Sequence, residues 1–180
     1  MKRILAILLA VLTLFCLTAC ANTDETPEGM KDVTVAGTNY KLYVPETWIA
    51  LTGINGSGAR ANTASTGENG YFSPNVIVTM ELLDVDMTPA DYFANVVSPE
   101  LSLVYDDLTM LEEGKELTLG GKDARGYTYS YTFASKFYKQ MQVVTVFGLN
   151  AYVLTYTASE AEFGSYLTEV EKIISEFTFR

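Results

Sequence analysis

Between Tyr127 and Phe133 the chain reads Tyr-Thr-Tyr-Ser-Tyr-Thr-Phe, and this alternation limits the fold more than any other stretch. Side chains that repeat every second residue lie on one face of a strand. Tyr127, Tyr129, Tyr131 and Phe133 therefore share an aromatic face, and Thr128, Ser130 and Thr132 share a small polar one. Neighbouring segments are of the same kind. Leu117-Thr118-Leu119 precedes the turn Gly120-Gly121, and β-rich runs over 136–147 and 151–157 are divided by Gly148-Leu149-Asn150. Consecutive strands joined by turns this short pair antiparallel, which predicts a meander.

Upstream, Val33-Thr34-Val35 and Tyr40-Lys41-Leu42-Tyr43-Val44 flank a Gly/Asn turn and predict a hairpin. Pro45 ends its second strand because it lacks a ladder donor. Trp48, the only tryptophan, follows; it is expected to cap the core, with a ligand contact as the alternative. Residues 51–71 hold five of the 13 glycines without periodicity and are expected to be a mobile loop without chemistry. The largely apolar run 75–83 predicts a central strand. Thr88-Pro89-Ala90-Asp91 then supplies a cap, a first-turn proline and an acid for a helix with Tyr92, Phe93, Val96 and Val97 on its buried stripe. Pro99 is expected to end or kink it. The last helix has Ser159 and Glu162 as a capping box. Phe163, Tyr166, Leu167, Val170, Ile173, Ile174 and Phe177 follow the spacing of one apolar face, so this helix is expected to cover the meander.

The first 20 residues carry an address. Lys2 and Arg3 precede an apolar run over 4–17 that is too short for the roughly 20 residues of a spanning helix. The run closes on Leu17-Thr18-Ala19-Cys20, as a secretory signal does. This ending resembles the lipobox of bacterial lipoproteins. The resemblance implies cleavage after Ala19, a diacylglycerol thioether on Cys20, and attachment to the extracytoplasmic face of the cell membrane. A spanning anchor and an ordinary secretory signal are the alternatives. The expected organisation is a signal peptide over 1–19, a lipid-anchored tether over 20–32 and a single globular domain over 33–180. The twelve residues after Cys20, 21–32, reach at most about 40 Å. The other cysteine, Cys16, leaves with the signal, so no disulfide is expected.

Composition excludes chemistry. The chain has no histidine, which rules out Ser-His-Asp and Cys-His pairs and imidazole ligation of zinc. Without its leader the chain sets ten basic against 22 acidic residues, a formal charge of about −12, and so disfavours nucleic acid as a partner. The acidic pairs Asp84/Asp86 and Asp106/Asp107 lack the Asp-x-Asp-x-Asp-Gly spacing of a calcium loop and are expected to be solvated. No metal or cofactor is expected.

The order of these elements resembles the PsbP-like family, which includes extrinsic photosystem subunits, a Ran-binding protein and many small bacterial lipoproteins of unknown role. The marks are Pro45, Trp48, Gly121, Ala124, Tyr129 and Phe177-Thr178-Phe179, and the resemblance covers residues 38–180. It implies an α+β fold, an antiparallel sheet with helices packed against it in an α/β/α sandwich, and no shared activity. The expected function is a non-catalytic binding or assembly module for protein or envelope partners. The alternatives are a small-molecule carrier and an enzyme built on carboxylates or tyrosines. The aromatic strand is expected to be core beneath the last helix, with an exposed binding platform as its alternative. Trp48, Tyr71 and Tyr138 are the candidate partner-binding residues.

Overall fold

The computed structural model describes residues 25–63, 72–105 and 107–180. Its centre is a seven-stranded antiparallel sheet in the order β4-β5-β6-β10-β9-β8-β7. The strands are β4 (Ile49–Ala50), β5 (Ser57–Arg60), β6 (Asn75–Leu82), β7 (Thr109–Leu119), β8 (Lys122–Phe133), β9 (Lys136–Phe147) and β10 (Asn150–Ser159). β7 to β10 form the expected meander, and β6 joins it through β10, with Asn150 opposite Leu82 and Thr157 opposite Asn75. The expected hairpin is present, with its first strand three residues earlier than predicted and its second divided in two. β1 (Met30–Asp32) pairs with β3 (Tyr43–Pro45), Met30 opposite Pro45, while β2 (Tyr40–Lys41) pairs with β11 (Thr178–Phe179). The boundary placed at Val33 is therefore corrected: Met30 is buried and paired, so the folded body includes the last residues assigned to the tether.

The expectation of a structureless 51–71 is also corrected in part. Ser57, Gly58 and Ala59 are buried in β5, which lies between β4 and β6. Small side chains are required there. A Cβ at Gly56, whose φ is +136°, would stand 2.1 Å from the Val78 carbonyl oxygen, and one at Gly58 would stand 2.7 Å from that of Val76. Residues 64–71 lie outside the described residues.

Period two on each central strand feeds two cores. On the first face Val76, Val78, Val143, Tyr152, Leu154 and Tyr156 pack with Leu42, Val44 and Trp48. They meet Val170, Ile173 and Phe177 from α3 (Leu167–Glu176) and its C-cap. On the second face Tyr127, Val144, Ala151 and Val153 pack against Tyr92, Phe93 and Val97. Adjacent residues of one strand, such as Val153 and Leu154, thus belong to opposite cores. The result is an α/β/α sandwich. It corrects one expectation: the aromatic face of β8 lies beneath the mid-chain helix, and α3 covers the opposite face. Periodicity places side chains on a common face but does not say which helix covers it.

That mid-chain helix begins as predicted. Thr88 accepts a hydrogen bond from the Asp91 N–H while Asp91 accepts from the Thr88 N–H, a reciprocal capping box ahead of α1 (Pro89–Tyr92). Pro99 does not end the helix. A π turn over Phe93–Val97 precedes α2 (Ser98–Val104), and the Ser98 N–H reaches back to the Phe93 carbonyl. Widening one turn is how a helix passes a residue that lacks an N–H and crowds the carbonyl four residues earlier. The last helix begins differently from the capping box expected. Ser159 donates to Glu162 side chain to side chain at 2.5 Å, and a 3-10 turn over Phe163–Tyr166 comes before α3.

Candidate binding site

One part of the second face is polar where a sheet under a helix is ordinarily apolar. Register sets its geometry. Gln142 of β9 stands between Tyr127 of β8 and Thr155 of β10; Gln140 stands between Tyr129 and Thr157; Tyr138 stands opposite Tyr131. These side chains point the same way because their positions differ by two. Gln140, Gln142 and Thr157 are buried, and Tyr129 is 0% exposed. Above them aromatic rings form a wall. Tyr105 stacks on Tyr131 at 3.9 Å between centroids, Tyr131 on Tyr138 at 5.8 Å, and Phe72 meets Tyr138 edge-on at 4.9 Å. Leu101, Leu108 and Met110 pack against the same cluster, as do the half-buried Phe72 and Tyr105.

The polar atoms of this floor are incompletely paired. Tyr131 donates to Gln140 Oε1 at 3.3 Å. Among the described residues, the Tyr129 hydroxyl and Gln142 Oε1 are buried without a hydrogen-bond partner. The Gln140 side chain lies near enough to Tyr129 to oppose the effect of burial on its pKa, yet no well-aligned bond joins them. Burial drives the hydroxyls of Tyr129 and Tyr131 far above the ordinary tyrosine range, and the neighbouring tyrosines add to it: Tyr131 and Tyr105 for the first, Tyr105 and Tyr138 for the second. Both keep their protons at any physiological pH. The cluster can donate and accept hydrogen bonds and stack on a flat apolar surface; it cannot supply a tyrosinate nucleophile or base.

The sequence candidates are scattered. Trp48 is 1% exposed in the first-face core, where its ring meets Tyr166 edge-on and its indole N–H donates to Glu169. Tyr138 is 8% exposed on the second face. Neither ring offers itself to a partner at the surface, because each is held between layers of the sandwich. The structure does not bring the two together. Cys20 and Tyr71 lie outside the described residues, as do the signal peptide and Asp106. Asp84 and Asp86 are exposed, whereas Asp107 accepts the Thr132 N–H at 2.9 Å and is held below the usual carboxylate range by Thr132. Among the described residues no three carboxylates cluster as metal ligands would, and no helix is long and apolar enough to cross a membrane. Gln140, Gln142, Tyr105 and Phe72 were not legible as site residues. One signal was available: in Tyr-Lys-Gln-Met-Gln-Val-Val the two glutamines fall in phase with Tyr138 and Val144, which places amides on a covered face.

No family model matches the chain, and no curated protein matches it in sequence. Solved structures do match. LpqN of Mycobacterium tuberculosis, described as involved in cell envelope biogenesis, superposes with a TM-score of 0.61 at 18% identity, over 83% of this chain and 90% of that one. The cyanobacterial PsbP of Synechocystis gives 0.59 at 11% identity, over 91% and 99%. A protein of unknown function from Pseudomonas aeruginosa, described as a putative regulator, gives 0.58 at 13% identity, over 84% and 97%. The fold is accordingly PsbP-like, an α+β sandwich as expected from the order of elements. At these identities the likeness extends to architecture, and activity has to be argued from the site.

Proposed function

We propose that this protein is a lipid-anchored, extracytoplasmic binding module that performs no catalysis of its own and serves a partner in the cell envelope. The observation that carries the reading is the character of the second-face cluster: buried tyrosines held in the neutral form beside buried amides. Such a surface recognises shape and hydrogen-bond pattern, and it lacks the paired titratable groups of acid–base catalysis. The absence of histidine from the whole chain agrees with this. The lipobox resemblance at Leu17-Thr18-Ala19-Cys20 supports the anchor, and the likeness to LpqN supports an envelope setting.

The anchor is tested by detergent-phase partition of the protein from its native cells. The wild type should enter the detergent phase, and Cys20→Ser should remain unprocessed or be released into the aqueous phase. Equal aqueous partition of the two overturns the anchor. The binding role is tested by a photocrosslinking residue at Tyr105 in intact cells. A discrete envelope adduct, lost when Tyr131→Ala is added, is expected; an adduct pattern indifferent to Tyr131→Ala overturns it.

A further inference from the structure

We propose that the tip of the β8–β9 hairpin is a second membrane contact, in which Phe133 and Phe137 enter the lipid interface near the anchor on Cys20. This rests on the lipid-anchored reading and adds to it the end of the body that meets the bilayer. Phe133 and Phe137 flank the turn at Ala134 and Ser135 and are 60% and 66% exposed. Leu103 and Val104, 86% and 65% exposed, close α2 at the same end, because the next residue, Tyr105, stacks on Tyr131, two residues before Phe133. Large apolar side chains grouped at one exposed end mark a surface that meets something other than water. Among the described residues, the charges next to the tip balance. Lys139 pairs with Glu160 at 3.3 Å, Asp107 accepts the Thr132 N–H, and Lys136 stands beside the turn. A lysine there can lay its stem along lipid and keep its ammonium among the headgroups.

The short lead to Cys20 is what makes the bilayer the occupant. Met30 lies opposite Pro45, three residues before Trp48, whose ring meets Tyr166 at the N-cap of α3. The turn that leads into α3 follows the end of β10, where Ser159 lies opposite Tyr138, next to Phe137. The chain therefore enters the folded body in the half that carries the hairpin tip, and Lys172 of α3 fixes it there by donating to the Glu28 carbonyl at 3.0 Å. At the far end Phe179, beyond α3, packs on Phe147. β9 spans the distance between the two ends with 12 residues, about 40 Å. The described chain begins at Glu25, and the five residue steps from Cys20 extend at most about 18 Å. A lead this short holds the half that bears Phe133 and Phe137 to the membrane surface, whereas the exposed Leu82 at the far end is kept away from it.

The test uses the protein taken from its own membranes and reconstituted in phosphatidylcholine vesicles. With Cys16 lost in the leader and Cys20 alkylated, Ser135→Cys supplies a single thiol for an environment-sensitive fluorophore. Its emission is expected to shift to the blue and to be quenched by a nitroxide on the lipid acyl chains. The same fluorophore on Asp84→Cys, two residues past Leu82 at the far end, is expected to report water. Phe133→Ser combined with Phe137→Ser should abolish the shift and the quenching at position 135 without lowering the thermal midpoint, since both rings are exposed in the folded body. The contact is overturned if position 135 stays in water, if positions 135 and 84 are quenched alike, or if the double variant is quenched as before. A blue shift without nitroxide quenching also overturns it and assigns the tip to a protein surface, a second copy included. The anchor fails separately, and takes this contact with it, if the wild type accepts the label at an unmodified Cys20 and stays in the aqueous phase of the detergent extraction. A protein that is anchored yet keeps position 135 in water retains the binding role and loses this contact.

Discussion

Trp48 shows how much one side chain can hold. It is the only tryptophan, it is buried in the first-face core, and its indole N–H donates to Glu169 on α3. Replacing a buried ring of this size by alanine costs about 3–5 kcal/mol, so Trp48→Ala should lose much of the total stability in urea unfolding followed by circular dichroism. An unchanged midpoint would remove Trp48 from the core. Asp32 illustrates the smaller scale of surface charge. Burial works to raise its pKa, but bonds from Lys41 and Thr34 overcome this and hold the carboxyl below its usual value of 3.8. A carboxyl depressed in the folded state adds stability above its unfolded pKa and loses it as the pH falls through the folded one. Asp32→Asn should therefore cost at most about 1 kcal/mol at neutral pH, and the difference from wild type should shrink as the pH falls below 3.8 and through the lowered folded value. A difference that grew on acidification would reverse the assignment.

At the scale of elements, local signals and long-range ones part company. The capping box at Thr88, the meander and the apolar face of α3 depend on neighbours within a few residues, and all three are readable along the chain. β5 is not. Its Ser-Gly-Ala-Arg has little strand propensity and is a strand because small residues admit the close approach of β6. The polar floor of the candidate site is half legible: the phase of Gln140 and Gln142 is in the sequence, but which helix covers them is decided by the whole sandwich. The β8–β9 turn is another local feature. Ala134 and Ser135 hold positive φ values of 49° and 63° between the exposed rings of Phe133 and Phe137. A two-residue hairpin of this shape favours Asn-Gly, since other residues meet a steric cost there. Ala134→Asn with Ser135→Gly should therefore raise stability by roughly 1 kcal/mol, read as a higher thermal midpoint. A lower one would show that the turn has a different backbone shape.

For the molecule as a whole, tyrosine makes the two cores titrate together. Burial raises the hydroxyls of Tyr129, Tyr131, Tyr92 and Tyr127 on the second face and of Tyr156 and Tyr166 on the first. A group whose folded pKa lies above its unfolded value contributes stability that is complete below the unfolded pKa, near 10 for tyrosine, and is lost as the pH climbs beyond it. Alkali should thus weaken both faces of the sheet at once, with no disulfide to hold the described residues together, since neither cysteine is among them. Absorbance at 295 nm, followed upward from pH 9, should show two classes of tyrosine. One should ionise reversibly as exposed phenols do. The other should appear in a single cooperative step at higher pH, coincident with loss of the far-ultraviolet dichroism of the sheet. Adding a thiol reductant should leave that step where it is. If all twelve tyrosines ionised in one smooth curve with the dichroism intact, the hydroxyls would be reaching water in the folded protein. The neutral second-face cluster argued from Tyr129 and Tyr131 would then fall with the sandwich packing that creates it.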